Sequence, residues 1–168
     1  YKLMGDYASE KECFVGRQEY LKSMEEQFAG KEGPVILYGI AGIGKTALAR
    51  EYIRRHQSDY DKVLFLSYHT SLQELICDDS QLSFSNLRFS RKKYENKNRY
   101  FKEKIKLLCR EAERNRLLLV IDDCSMKGDP KLEMLLDVPC DFLFTTRMDP
   151  QIWGDYRGIY VKELETEG

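Results

Sequence analysis

The chain has 168 residues, is 42% hydrophobic and carries a formal net charge of −1. That length suits one domain with a substantial core and is too short for two large domains. The near-neutral balance provides no overall field for nucleic acid or an acidic membrane, and no apolar run approaches the roughly 18 residues that span a bilayer.

Cysteine usage indicates a reducing compartment. The cysteines are scattered and odd in number, without a C-x-x-C pair: Cys13, Cys77, Cys109, Cys124 and Cys140. Such spacing argues against both a disulfide framework and a zinc site. Because the N-terminus also lacks a signal-peptide pattern, the sequence favours a cytoplasmic protein.

The first elements lead from a polar segment into a buried strand. Residues 1–12 are mixed and polar and form a lead-in without a clear pattern. An amphipathic stretch over 19–28 predicts a helix, which Gly30 and the Gly33-Pro34 pair end. The apolar run over 35–38 then predicts a short buried strand.

Residues 39–46 have the spacing G-x-x-x-x-G-K-[ST], between this strand and a helix predicted over about 45–56. In that context the pattern predicts a phosphate-binding loop rather than an ordinary glycine-rich turn, with backbone N–H groups and a helix N-terminus facing the phosphates. We expect Lys45 to hold the β- and γ-phosphates and the Thr46 hydroxyl to ligate Mg²⁺. The loop residues predicted to contact nucleotide are Gly39, Ala41, Gly42, Ile43, Gly44, Lys45, Thr46 and Ala47.

The middle of the chain is less regular. The apolar run over 63–66 predicts a second strand, and residues 71–77 predict a short helix. Residues 68–98 are expected to form a variable insertion. Within and beyond it, residues 88–106 contain nine basic and two acidic residues.

This basic tract has two interpretations. We favour a solvated helix face and loop over a contact with nucleic acid. The second interpretation stays open because aromatic side chains in the tract could stack on bases: Tyr94, Tyr100 and Phe101.

The second half alternates again between helix and strand. A long helix is predicted over about 99–115, a short one around 130–136, and strands over 117–121, 141–147 and 159–161. Strands that alternate with helices predict a parallel sheet with helices on both faces. With the phosphate loop, this predicts a three-layer α/β/α P-loop NTPase fold with about five strands.

Polar residues follow three of these strands, and in parallel sheets ligands bind beyond the carboxyl ends. The strand over 117–121 ends in Asp122 and Asp123, the Walker B pattern of an apolar run followed by an acid. We expect Asp122 to bind Mg²⁺ beside Thr46 and Asp123 to orient or deprotonate the attacking water. The alternative for the pair is a solvated turn or helix cap.

Arg147 closes the next strand. A cation there could reach the γ-phosphate through charge-assisted hydrogen bonds and so distinguish triphosphate from diphosphate. The alternative is a surface arginine paired with Asp149 or Asp155.

Taken together, four segments resemble the nucleotide-binding domain of STAND-class signalling ATPases, and most closely its NB-ARC branch: Phe14–Arg17, Gly39–Thr46, Leu117–Asp123 and Phe144–Arg147. The resemblance spans roughly residues 12–165 and implies one nucleotide-binding domain over 13–165. It implies that Val15, Gly16 and Arg17 lie near the adenine and ribose. It also implies that the Arg147 strand lies between the phosphate-loop strand and the Asp122 strand, and that helical and winged-helix subdomains follow in a longer chain.

The function implied by this resemblance is an ATP/ADP-binding switch in signal transduction, with weak, slow Mg²⁺-dependent ATP hydrolysis. Its implied partners are adenine nucleotide, other domains of the same longer chain and, on activation, further copies of itself. One alternative is an AAA+-type motor, which needs a second sensor arginine from a C-terminal lid and an arginine finger from a neighbour. A nucleic-acid-binding ATPase that uses the basic tract is another. A small-molecule kinase is the weakest, since residues 127–137 contain no arginine.

Overall fold

The computed structural model describes residues 17–31, 33–40, 42, 44–84 and 96–162. In chain order the elements are α1 (Gln18–Gly30), β1 (Val35–Tyr38), α2 (Lys45–His56), β2 (Lys62–Ser67), α3 (Leu72–Cys77), α4 (Lys97–Arg114), β3 (Leu117–Asp122), α5 (Leu132–Leu136), β4 (Asp141–Thr146) and β5 (Ile159–Tyr160). Short 3-10 helices span Gln57–Asp59 and Pro150–Trp153. These bounds agree closely with the predicted elements.

The five strands form one parallel sheet in the order β2-β3-β4-β1-β5. The strand β4 lies between the strand that leads into the phosphate loop and the strand that ends in the acid pair. Its register places Leu143 beside Val35 of β1 and Asp141 beside Leu118 of β3. The order implied by the resemblance is therefore the order observed, and the P-loop NTPase fold is confirmed.

The core lies on both faces of the sheet, because successive side chains of a strand point to opposite faces. On β3, Leu118 and Val120 pack with the helices α1 and α2. The intervening Leu119 and Ile121 pack with α3, α4 and α5 on the other face. All four side chains are fully buried, which is why β3 reads as an unbroken apolar run. The result is the expected three-layer architecture.

The helix α4 corrects the interpretation of the basic tract. Its buried side chains recur at helical spacing: Tyr100, Phe101, Lys104, Ile105 and Leu108. Tyr100 and Phe101 are completely buried, so the expectation that they could stack on bases is wrong. Lys104 is equally buried and pairs with Asp79 at 2.6 Å, which removes one of the tract's cations from the surface. Tyr94 lies outside the described residues.

The first part of the predicted insertion is integrated into the domain. Leu72, Ile76 and Leu82 lie in the core. The side-chain amide of Gln81 accepts from Ser67 N at 2.7 Å and donates to Ser67 O at 3.1 Å. It thereby satisfies both backbone polar groups of Ser67, the last residue of β2.

The described residues can be compared with the expectations about membrane-spanning segments and cysteine pairing. None of their helices combines the length and the apolar composition needed to cross a bilayer. The four cysteines among them are free: Cys77, Cys109, Cys124 and Cys140. Burial raises the pKa of Cys124 and of Cys140 to about 12, so both are protonated thiols at neutral pH.

Candidate functional site

The chain leaves β1 and enters α2 through a turn that depends on glycine. Gly42 and Gly44 have φ angles of 78° and 95°, in the left-handed region that side chains disfavour. Gly44 is the N-cap of α2 and accepts a hydrogen bond from Leu48 N at 2.9 Å. The turn therefore places the positive N-terminus of α2 at the carboxyl edge of the sheet. Ala41 and Ile43 lie outside the described residues.

Arg17 packs against this turn from the chain's N-terminal side. Its guanidinium is buried and donates to Gly44 O at 3.2 Å. A Cβ atom at Gly44 would clash with that guanidinium. The contact links the start of α1 to the start of α2. Val15 and Gly16, the other predicted base-contacting residues, lie outside the described part of the chain.

Lys45 turns its ammonium group back over the loop. Its Nζ donates to Gly39 O and Ile40 O, each at 2.7 Å. Burial lowers the pKa of this lysine, the nearby Arg147 lowers it further, and Asp123 and Asp122 partly offset both effects. A phosphate oxygen could replace the carbonyl partners, and its negative charge would favour the charged form of the lysine.

Three side chains from separate elements meet at the end of β3. Oδ1 of Asp122 accepts hydrogen bonds from Oγ1 of Thr46 at 2.8 Å and from Oγ1 of Thr145 at 2.7 Å. The contacts connect the first turn of α2, the end of β3 and the end of β4. Hydroxyl and carboxylate oxygens are the donors that Mg²⁺ uses beside phosphate oxygens and water, so Thr46 and Asp122 fit that metal.

Asp123 follows with an exposed side chain on an unusual backbone. Its φ is 55°, a left-handed conformation that costs a residue other than glycine about 1 kcal/mol. Its N–H donates to Oγ1 of Thr145 at 2.8 Å, and the N–H of Cys124 donates to the Thr145 carbonyl at the same distance. The backbone around Asp123 is thus fixed while its carboxylate faces the solvent.

These groups surround a cavity of about 620 Å³ at the carboxyl edge of the sheet. Its lining residues are Gly42, Gly44, Lys45, Thr46, Ala47, Arg50, Asp122, Asp123, Thr145 and Arg147. The volume falls within the range of small-molecule sites, about 300 to 1,000 Å³. Three cations and two acids line it, so the cavity favours an anion. Most of the predicted site residues are brought together here, whereas Gly39 and Arg17 do not line the cavity.

Arg147 is exposed and lines this cavity. Within the described residues it forms no ion pair, and the alternative pairing with Asp149 or Asp155 is not observed. Instead Asp149 caps the following 3-10 helix by accepting from Gln151 N at 3.0 Å. The guanidinium is therefore available to an anion.

Sequence reasoning missed the cavity cation Arg50. This half-buried side chain lies one helical turn after Thr46 and so shares its face of α2. The other two arginines of α2 do not line the cavity: Arg54 and Arg55 both bind the carboxylate of Glu51, at 2.5 and 2.9 Å. The four-residue spacing from Thr46 was the signal that could have identified Arg50.

Comparison with known families supports this geometry. The family described as an ATPase domain predominantly from Archaea matches residues 14–137. The chain belongs to this ATPase family. The matched region includes the phosphate loop and both acids, and it ends before β4. The family establishes a P-loop ATPase domain, which is coarser than the NB-ARC resemblance.

Two solved structures share the fold. Cdc6p from Pyrobaculum aerophilum is 15% identical, with a TM-score of 0.57 over 88% of this chain and 45% of that protein. A DNA replication initiation factor is 14% identical, with a TM-score of 0.52 over 95% of this chain and 47% of the other. The chain thus spans less than half the length of either. No functionally curated protein shows significant sequence similarity to it.

Proposed function

We propose that this ATPase domain binds ATP and ADP with Mg²⁺, hydrolyses ATP slowly and acts as a nucleotide-dependent switch within a longer chain. The observation that carries the proposal is the shared contact of Thr46 and Thr145 with Asp122, which joins the phosphate-loop helix to the acid strand. Membership of the ATPase family supports the same chemistry.

The proposed roles follow from where each group lies. Lys45 and the N–H groups at the start of α2 hold the β- and γ-phosphates. Thr46 and Asp122 hold the metal, which would neutralise phosphate charge when bound. Asp123 takes a proton from water as the water oxygen bonds to the γ-phosphorus, while the bond to the bridging oxygen breaks and ADP keeps that electron pair.

Switching needs contacts that differ between the two nucleotides. The exposed guanidinium of Arg147 lines the cavity, which supports a role for it in binding the terminal phosphate, the group that ADP lacks. Binding of ATP would draw β4 and α2 onto that phosphate, and hydrolysis would release the contact. We expect other domains of the longer chain to respond to this change, together with further copies of it on activation.

An AAA+-type motor is the second candidate, and the fold shared with Cdc6p favours it. A motor of that type completes its site with an arginine from a neighbouring subunit. Its turnover per molecule therefore rises steeply with protein concentration, in parallel with assembly. A switch turns over slowly at any concentration and retains ADP.

The first test is a titration of the chain with ADP, ATP and GDP by calorimetry, with Mg²⁺ and with a chelator. We expect micromolar binding of the adenine nucleotides, tighter with Mg²⁺, and a loss of at least tenfold in Lys45→Ala. The matched control is Lys102→Ala, which removes an exposed lysine on α4. Absence of adenine-nucleotide binding in the presence of Mg²⁺ would overturn the proposal.

A further inference from the structure

The hydroxyl of Thr145 is hydrogen-bonded to both acids of the site. It donates to Oδ1 of Asp122 at 2.7 Å and accepts from the N–H of Asp123 at 2.8 Å. The direction of both bonds is fixed, because a backbone N–H can only donate and a carboxylate can only accept. One side chain therefore sets the position of one acid's carboxylate and of the next acid's backbone.

The backbone of the same residue extends this contact. Thr145 O accepts from Cys124 N at 2.8 Å, so two successive N–H groups after β3 are bound by one residue of β4. Thr145 is itself 1% exposed and lies beside Leu37 of β1. It sits in the strand between the phosphate loop and the acids, where it has little freedom to move.

The conformation of Asp123 depends most on these contacts. Its left-handed backbone is a conformation that surrounding contacts must maintain. Its side chain is exposed, and the bond from its N–H to Thr145 ties this residue to the sheet. Without the hydroxyl, Asp123 could relax toward an ordinary turn and its carboxylate would move relative to Lys45.

We propose that Thr145 is a positioning residue of the nucleotide site, whose hydroxyl orients the Asp122 carboxylate toward Thr46 and holds the Asp123 backbone in its left-handed conformation. The inference rests on the proposed function, because that function gives the two acids a nucleotide and a metal ion to act on. It assigns Thr145 no direct contact with nucleotide.

The neighbouring threonine provides a matched control. Thr146 is also buried, and its hydroxyl donates to Cys124 O at 2.6 Å and accepts from Met148 N at 3.0 Å. It holds the same loop to the same strand without a contact to either acid. Thr145→Val and Thr146→Val each remove one buried hydroxyl, and only the first should affect the acids.

The first measurement is amide hydrogen exchange at Asp123 in the nucleotide-free chain. Thr145→Val should accelerate this exchange by at least about tenfold, and Thr145→Ser should restore the protection. Thr146→Val should leave exchange at Asp123 unchanged. Equal exchange at Asp123 in wild type and Thr145→Val would overturn the inference whatever the chain binds.

The second measurement is the Mg²⁺ concentration that gives half-maximal tightening of binding to a fluorescent ADP analogue. We expect a rise of about tenfold in Thr145→Val, with affinity in chelator within twofold of wild type and with rescue by Thr145→Ser. Equal shifts in the two valine variants would mean a general loosening of the edge and would overturn the positioning role. If the wild-type chain binds no nucleotide, the proposed function fails. If the wild type binds nucleotide and Thr145→Val needs the same Mg²⁺ concentration, only the positioning role fails.

Discussion

Thr46 and Asp122 lie 76 residues apart in sequence, and their side chains meet in a hydrogen bond of 2.8 Å. The bond crosses from the first turn of α2 to the end of β3, past the strand that separates β3 from β1. A hydroxyl and a carboxylate oxygen are already paired where a divalent cation would need both. Little rearrangement is required for the two groups to share one ion with a phosphate.

Replacing the carboxylate by an amide should isolate this metal contribution. Asp122→Asn keeps the shape of the side chain and an oxygen that can accept from Thr46, but it removes the negative charge. We expect the Mg²⁺ concentration needed for nucleotide binding to rise by about tenfold or more, while binding in chelator holds or improves. Calorimetry at several Mg²⁺ concentrations measures this. Asp137→Asn, an exposed change at the C-terminal end of α5, is the control. An unchanged Mg²⁺ requirement would contradict the assignment of Asp122.

Arg50 should contribute to nucleotide affinity through a charge-assisted hydrogen bond. Arg50→Ala removes one of three cations that line the cavity. A charge-assisted hydrogen bond contributes about 1.5 to 3 kcal/mol, or roughly 10- to 150-fold in affinity. The salt dependence of nucleotide binding should weaken as well. Arg110→Ala on the exposed side of α4 is the control. A drop in melting temperature without a change in affinity would show that Arg50 is structural.

The sequence predicted the helices and strands well wherever glycine or proline clearly ended an apolar run. The bounds of β1 and α2 agree with prediction because Gly33-Pro34 and the glycine loop punctuate the run between them. The predicted lysine, hydroxyl and acids line one cavity in the structure. The spacing of the phosphate loop suggested the first two, and an apolar run followed by an acid suggested the others.

What the sequence did not reveal depends on contacts between distant residues. Counting charge over the whole basic tract concealed the helical spacing of Tyr100, Phe101 and Lys104, all of which are buried. The partner of Lys104 is Asp79, which lies in a different part of the chain. No local sequence pattern predicts such a pair. The contact of Thr145 with Asp122 likewise requires the strand order, which the residues alone do not give.

The lowered pKa of Lys45 predicts a pH dependence with a definite sign. Because burial disfavours the ammonium, it loses its proton below the ordinary lysine value of 10.5. Affinity for ADP should therefore fall as pH rises through the lowered pKa, earlier than for an exposed lysine. Lys45→Arg, which stays charged, should bind more weakly at neutral pH but show a flatter profile above it. Calorimetry at several pH values measures the affinity, with circular dichroism as a check on folding. The same dependence of ADP affinity on pH in wild type and Lys45→Arg would contradict the expectation.

Glu51 should stabilise the domain in a way that acid removes. Its carboxylate is 2% exposed and binds Arg54 through Nε at 2.8 Å and Nη2 at 2.5 Å, and Arg55 through Nε at 2.9 Å. The hydrogen bonds from Arg54 are the largest cause that lowers its pKa below 4.5, and Arg55 adds to them, against the opposing effect of burial. A carboxylate with a lowered folded pKa contributes stability that is complete above its unfolded pKa and is lost as pH falls through its folded pKa.

Glu51→Gln should accordingly lower the free energy of unfolding by about 1 to 3 kcal/mol at pH 7, because the buried network loses its charge and Arg54 and Arg55 lose part of their partner. Urea denaturation at pH 7 and near pH 3 measures the effect. The difference between wild type and variant should shrink at the lower pH, where the wild-type carboxylate also takes up a proton. Glu113→Gln, an exposed change on α4, should differ little from wild type at either pH. A difference for Glu51→Gln that is the same at both pH values would mean that the side chain acts through packing and not through its charge.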